Sequence, residues 1–64
     1  MSKLKEARER AGLTQKELSE RSGVNLRTVQ NYEQEYKDIN KAQGLSLYKL
    51  AKALDVTMED LIEL

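Results

Sequence analysis

LTQKELSERSGVNLRTVQNYE, residues 13–33, decides how the chain folds. Thr14 stands where a helix N-cap belongs, and Glu17 follows three residues on. Thr-x-x-Glu is a capping box, in which hydroxyl and carboxylate each satisfy an orphan backbone N–H. A helix from about Gln15 to Ser22 is predicted behind it, with Leu18, Ser19 and Ser22 on the inner stripe. The two serines are small enough to let another helix cross closely. Gly23 ends this helix, because glycine enters the left-handed region without steric cost. Asn25 is a good N-cap for a third helix over about Leu26 to Gln34. Helix, glycine-containing turn, short helix is the helix-turn-helix pattern. The break at Gly23 lets the third helix cross the second steeply and stand out from the body.

Outward from this unit the periodicity stays helical, and no stretch alternates with period two. A first helix is predicted over about Ser2 to Ala11, with Leu4, Ala7, Arg8 and Ala11 on one stripe and Gly12 as its stop. A fourth centres on LSLYKLAKAL, with Leu47, Leu50, Ala51 and Leu54 inward. Its start is open: Asn40 is a possible cap, but Gly44 would then sit inside at a cost of about 1 kcal/mol relative to Ala. Asp55-Val56 forms a turn. Thr57 caps a last helix from Met58 to about Glu63, with Glu59 and Asp60 at the positive end of its dipole. The expected fold is all-α: one compact five-helix domain over residues 1–64.

Composition narrows the function. The chain has 64 residues and no Cys or His, and 34% of it is charged. A domain this short buries only roughly 60% of its unfolded surface. Without Cys there is neither a disulfide nor a thiolate metal site. Without Cys or His the commonest general base and the best nucleophile are missing. Ser19, Ser22 and Ser46 have no activating base, and the carboxylates form no metal-like cluster. The expectation is no enzyme, no cofactor, no metal and no small-molecule ligand. No apolar run approaches the roughly 20 residues of a membrane span. The charged N-terminus MSKLKEARER lacks a signal peptide's apolar core, so the cytosol is the expected compartment.

Charge speaks against nucleic acid at first sight. Eleven Lys and Arg balance eleven Asp and Glu, and affinity for phosphate comes largely from concentrated positive charge. The distribution softens this, since residues 1–21 hold six cations and four anions, and residues 46–64 two cations and four anions. The third helix speaks for nucleic acid. At about 100° per residue, with Val29 facing the core, Tyr32, Glu33 and Asn25 fall on the inner side. Arg27, Gln30, Asn31 and Gln34 fall opposite. A solvated helix face usually mixes Lys with Glu. Planar forks suit base edges instead, Arg for guanine and Asn or Gln for adenine. A plain polar face remains the alternative for these four residues alone; the helix and turn before them favour base reading. Gln15 opens the second helix, where free amides and the dipole favour an anion such as phosphate.

The words LTQKELSERSGV, RTVQNYE and LAKALDVTMEDLIEL, in this order and spacing, resemble the phage-repressor and Cro-like, or Xre-type, helix-turn-helix family over about residues 3–64. The resemblance implies a bacterial or phage regulator that binds double-stranded DNA. It places Arg27, Gln30, Asn31, Leu26 and Gln15 at bases. It places Thr14, Gln15, Asn25, Gln34 and Lys37 near phosphates. Arg8 and Glu33 match a buried ion pair tying the first helix to the third; a phosphate contact is the alternative for Arg8. Two positions and the overall charge depart from the family pattern. Glu35 stands where Gly is common after the recognition helix, so a longer helix is expected. Gly44 replaces a larger apolar residue, which leaves the first turn of the fourth helix loose. Many relatives are more basic, so modest affinity is expected.

One recognition helix reads only a few base pairs, which argues for a homodimer on half-sites about 34 Å apart. Leu61, Ile62 and Leu64 lie within four residues, and not all of them fit one small core, so they are candidates for the dimer surface; the alternative is that they simply form the closing edge of the core. The competing reading is a protein-interaction module on the same fold, antitoxin-like or anti-repressor, which neutral charge and Glu35 favour.

Overall fold

A computed structural model describes residues 2–63. Among the described residues lie four α-helices, α1 (Lys3–Arg10), α2 (Gln15–Ser22), α3 (Leu26–Glu33) and α4 (Gly44–Leu54), with a 3₁₀ turn between α3 and α4 at Ile39–Lys41 and another after α4 at Met58–Leu61. Among the described residues there is no strand. The predicted five-helix count therefore becomes four α-helices, because the last segment makes only the short 3₁₀ turn.

The reason lies at both ends of that segment. Thr57 and Asp60 form a full capping box, the Asp60 amide donating to Thr57 Oγ1 and the Thr57 amide to Asp60 Oδ2. At Ile62 the backbone becomes extended. Glu63 then exchanges two hydrogen bonds with the Asn40 side chain, at 2.7 and 2.8 Å. Its carboxylate accepts from the Lys3 amide at 2.7 Å. Continuing the helix would remove these latches. Asn40 is thus no cap for α4. That helix begins at Gly44, after Gln43, which makes no side-chain capping bond.

Every α-helix ends on a left-handed residue. Gly12 and Gly23 have φ of 74° and 76°, while Glu35 and Asp55 take the same region at 62° and 56°. Around Glu35 the Tyr36 amide donates to Asn31 O and the Glu35 amide to Tyr32 O. This is the Schellman pair of bonds, with Glu35 where glycine is usual. So α3 stops at Glu33 and does not lengthen.

The core is aliphatic. Leu4, Leu18, Val29, Leu50 and Leu61 are essentially fully buried, and Leu47, Ala51 and Leu54 bring in the inner face of α4. Helix α2 lies between α3 and α4, while α1 packs on α3 and on the last 3₁₀ turn. Both helices of the central pair are therefore held from behind, which leaves the outer side of α3 uncovered.

Candidate nucleic-acid interface

The turn between α2 and α3 is held by side chains as well as by Gly23. Ser19 Oγ donates to Val24 O at 2.6 Å, Ser22 Oγ accepts from the Val24 amide at 3.1 Å, and the Gly23 amide donates to Ser19 O. The serines that the spacing assigned to a helix crossing therefore also bond the turn. Val24 is buried beneath them. Side-chain caps set the helix starts: the Thr14–Glu17 capping box for α2, and Asn25 Oδ1 accepting from the Arg27 amide at 2.8 Å for α3. The Thr14 amide and side chain hold the Glu17 carboxyl below the ordinary carboxylate range.

On α3, Val29 and Glu33 face inward and are buried, and Tyr32 packs partly against the core. Arg27 and Gln34 are exposed, and Gln30, Asn31 and Leu26 are half-buried. Among the described residues, the side chains of Arg27, Gln30, Asn31 and Gln34 make no hydrogen bond or ion pair, so their donors and acceptors face solvent. Thr14, Asn25 and Lys37 are exposed as well.

Behind this face lies one charged cluster. Glu33 Oε2 accepts from Arg8 Nε at 2.7 Å, and Glu33 Oε1 accepts from Arg8 Nη2 at 3.0 Å. Arg8 Nη1 also donates to Leu13 O at 2.7 Å. Donating to the Glu33 carboxylate raises the Arg8 guanidinium further above its already high value, against the opposing effect of burial. A third donor, Gln15 Nε2, reaches Glu33 Oε1 at 3.1 Å. This ties Gln15 to the cluster, which no sequence pattern indicated.

Two further differences concern the surface. Leu61 is fully buried in the core of the single chain. Ile62 is half-buried against that core, and Leu64 lies outside the described residues. Among the described residues, the large apolar side chains that are exposed are Tyr36, Leu45 and Tyr48. Lys41 lines an open cleft beside α3 with Thr28, Tyr32, Lys37 and Asp38.

Two short helices joined through a left-handed glycine, with an uncovered polar face on the second, define a helix-turn-helix domain. The helix-turn-helix family profile matches residues 4–61, and the chain belongs to that family in its Xre-type, phage-repressor and Cro-like form. It is similar to the HTH-type transcriptional regulator ImmR of Bacillus subtilis (strain 168), at 37% identity over 60 residues. The alignment covers 94% of this chain and 45% of the relative, so the chain spans less than half the length of that regulator. No solved structure matches it significantly.

Proposed function

We propose that the chain is a sequence-specific double-stranded DNA-binding module of a transcriptional regulator. The observation that carries the reading is the face of Arg27, Gln30, Asn31 and Gln34: four planar, hydrogen-bonding side chains on a helix held from behind, with no side-chain partner among the described residues. In this reading α3 enters the major groove, where such forks match base edges. Leu26 and Gln15 complete the base-facing set. Thr14, Gln15, Asn25, Gln34 and Lys37 approach phosphates, and Arg8 with Glu33 is structural. The domain acts in the cytosol as a homodimer on a two-fold operator, because one short helix covers too few base pairs for specificity. No helix among the described residues is long and apolar enough to cross a membrane.

The competing reading, a protein-binding module, draws on exposed Leu45 and Tyr48. Filter binding to random duplex DNA separates the two. The DNA reading expects retention at about 50 mM salt that falls steeply by about 200 mM, since phosphate contacts release counterions. A protein-binding module retains nothing at either salt.

A further inference from the structure

We propose that Glu33, besides its structural pairing with Arg8, fixes the orientation of the Gln15 amide so that Gln15 reads a base carrying an exocyclic amino group, adenine above all. The inference rests on the reading of the chain as a DNA-binding module.

A glutamine amide presents a donor end and an acceptor end of nearly the same shape. Turned by half a rotation, an unheld Gln15 would exchange them and accept almost any base edge or a phosphate. Glu33 removes that freedom. A carboxylate only accepts, so the end facing it must be the NH₂, and Gln15 Nε2 sits 3.1 Å from Glu33 Oε1. The carboxylate cannot turn away either. Its two oxygens are gripped by Arg8 Nε and Nη2 at 2.7 and 3.0 Å, and its side chain is 2% exposed.

One N–H of Gln15 is therefore committed. One N–H and Oε1 remain, and Oε1 takes no hydrogen bond among the described residues. Phosphate oxygens donate nothing, so Oε1 has no use at the backbone. In the major groove its partners are the amino groups of adenine and cytosine. Adenine alone offers an amino donor beside an acceptor, N6 beside N7, matching both groups left on Gln15. Guanine offers two acceptors there, and a Gln15 held this way has one donor left for them.

The test starts from duplexes selected out of a random library and measures Kd for every single base-pair change in the selected site, by fluorescence anisotropy. The quantity read is the ratio of Kd values between two duplexes on the same protein. A loss of folded fraction multiplies both constants equally, so the ratio is blind to destabilisation. The wild type is expected to prefer an adenine at one position by roughly tenfold or more. Gln15→Ala and Glu33→Gln should both collapse that preference towards one and leave the others unchanged. Glu33→Gln raising every Kd by one common factor, with the adenine preference intact, overturns the proposal. So does Gln15→Ala weakening all sequences alike, which marks a phosphate contact.

Should Glu33→Gln fail to fold, Gln15→Lys decides at a half-exposed position. It keeps donors for both Glu33 and a phosphate but has no acceptor. The adenine preference should vanish while affinity for unrelated duplexes holds or rises; a surviving preference refutes the proposal. If the wild type binds no duplex at all, the DNA reading falls first and this inference falls with it.

Discussion

Replacing Arg8 by Met is the most demanding test of how the fold is held. The Glu33 side chain is 2% exposed and the Arg8 side chain 12%. The substitution removes two of the three hydrogen bonds to Glu33 and leaves only Gln15 Nε2 facing a buried carboxylate. It also removes the donor to Leu13 O. Breaking a buried pair from one side costs about 3–5 kcal/mol, because the other charge is stranded. At roughly 0.05–0.15 kcal/mol per residue, a domain of this size holds only about 3–10 kcal/mol in total. Arg8→Met should therefore consume much of the stability, with Tm falling by about 4–8 °C for each kcal/mol. Glu33→Gln should cost less, about 1–3 kcal/mol: its amide oxygen still accepts from Arg8, and Arg8 keeps Leu13 O. Replacing both, Arg8→Met with Glu33→Leu, should recover to within about 1 kcal/mol of the wild type, since an apolar pair strands no charge. Urea unfolding followed by circular dichroism measures all three, and Glu33→Leu alone completes the cycle. Losses under about 1 kcal/mol for Arg8→Met, adding simply to the loss from Glu33→Leu alone, would show that the pair is not coupled and refute the reasoning.

Arg27→Ala should weaken binding by about 1–3 kcal/mol and relax the preference at one base pair; anisotropy on single base-pair variants checks it, and an equal loss on every sequence would mark a phosphate contact instead. Asp55→Gly should stabilise by about 0.5–1 kcal/mol, seen as a higher urea midpoint, because Asp55 holds φ of 56° at the end of α4, where a side chain is strained and a negative charge meets the negative end of the dipole. Acid should weaken the fold through the capping boxes. The Thr14 and Thr57 amides hold Glu17 and Asp60 below the ordinary carboxylate value. Their contribution is thus complete only above the ordinary carboxylate values, at about pH 5 and higher, and is lost as pH falls through the lowered folded-state values. The urea midpoint should drop from pH 5 to pH 2, and by less in Glu17→Gln/Asp60→Asn.

The helices that carry local signals were legible in the sequence. Thr14 with Glu17, Gly23 and Asn25 place both ends of α2 and the start of α3, because caps and left-handed glycines act within a few residues. The stripe Leu47, Leu50, Ala51 and Leu54 gave the inner face of α4. What stayed hidden depends on contacts far along the chain. Glu35 and Asp55 close helices in the left-handed region without being glycine, held there by Schellman bonds. Asn40 looks like a helix cap, yet its amide pairs with Glu63, 23 residues away. That pairing turns the chain out of its final helix. Of the two roles open to Leu61, partner surface or closing edge of the core, the single chain shows it in the core, folded there by the shortened last segment. In the candidate site the outward quartet was readable from helical period alone. The bond from Gln15 to Glu33 was not, since it needs the crossing angle of α2 and α3.

Probing the grooves with dimethyl sulfate tests the central claim most directly. This reagent methylates guanine N7 in the major groove and adenine N3 in the minor groove. On a selected duplex, the bound domain should shield guanine N7 at the site's centre of contact while leaving adenine N3 reactive, and Arg27→Ala should restore the reactivity of one guanine. Shielding confined to adenine N3, or none on a duplex that is demonstrably bound, would contradict the placement of α3 in the major groove.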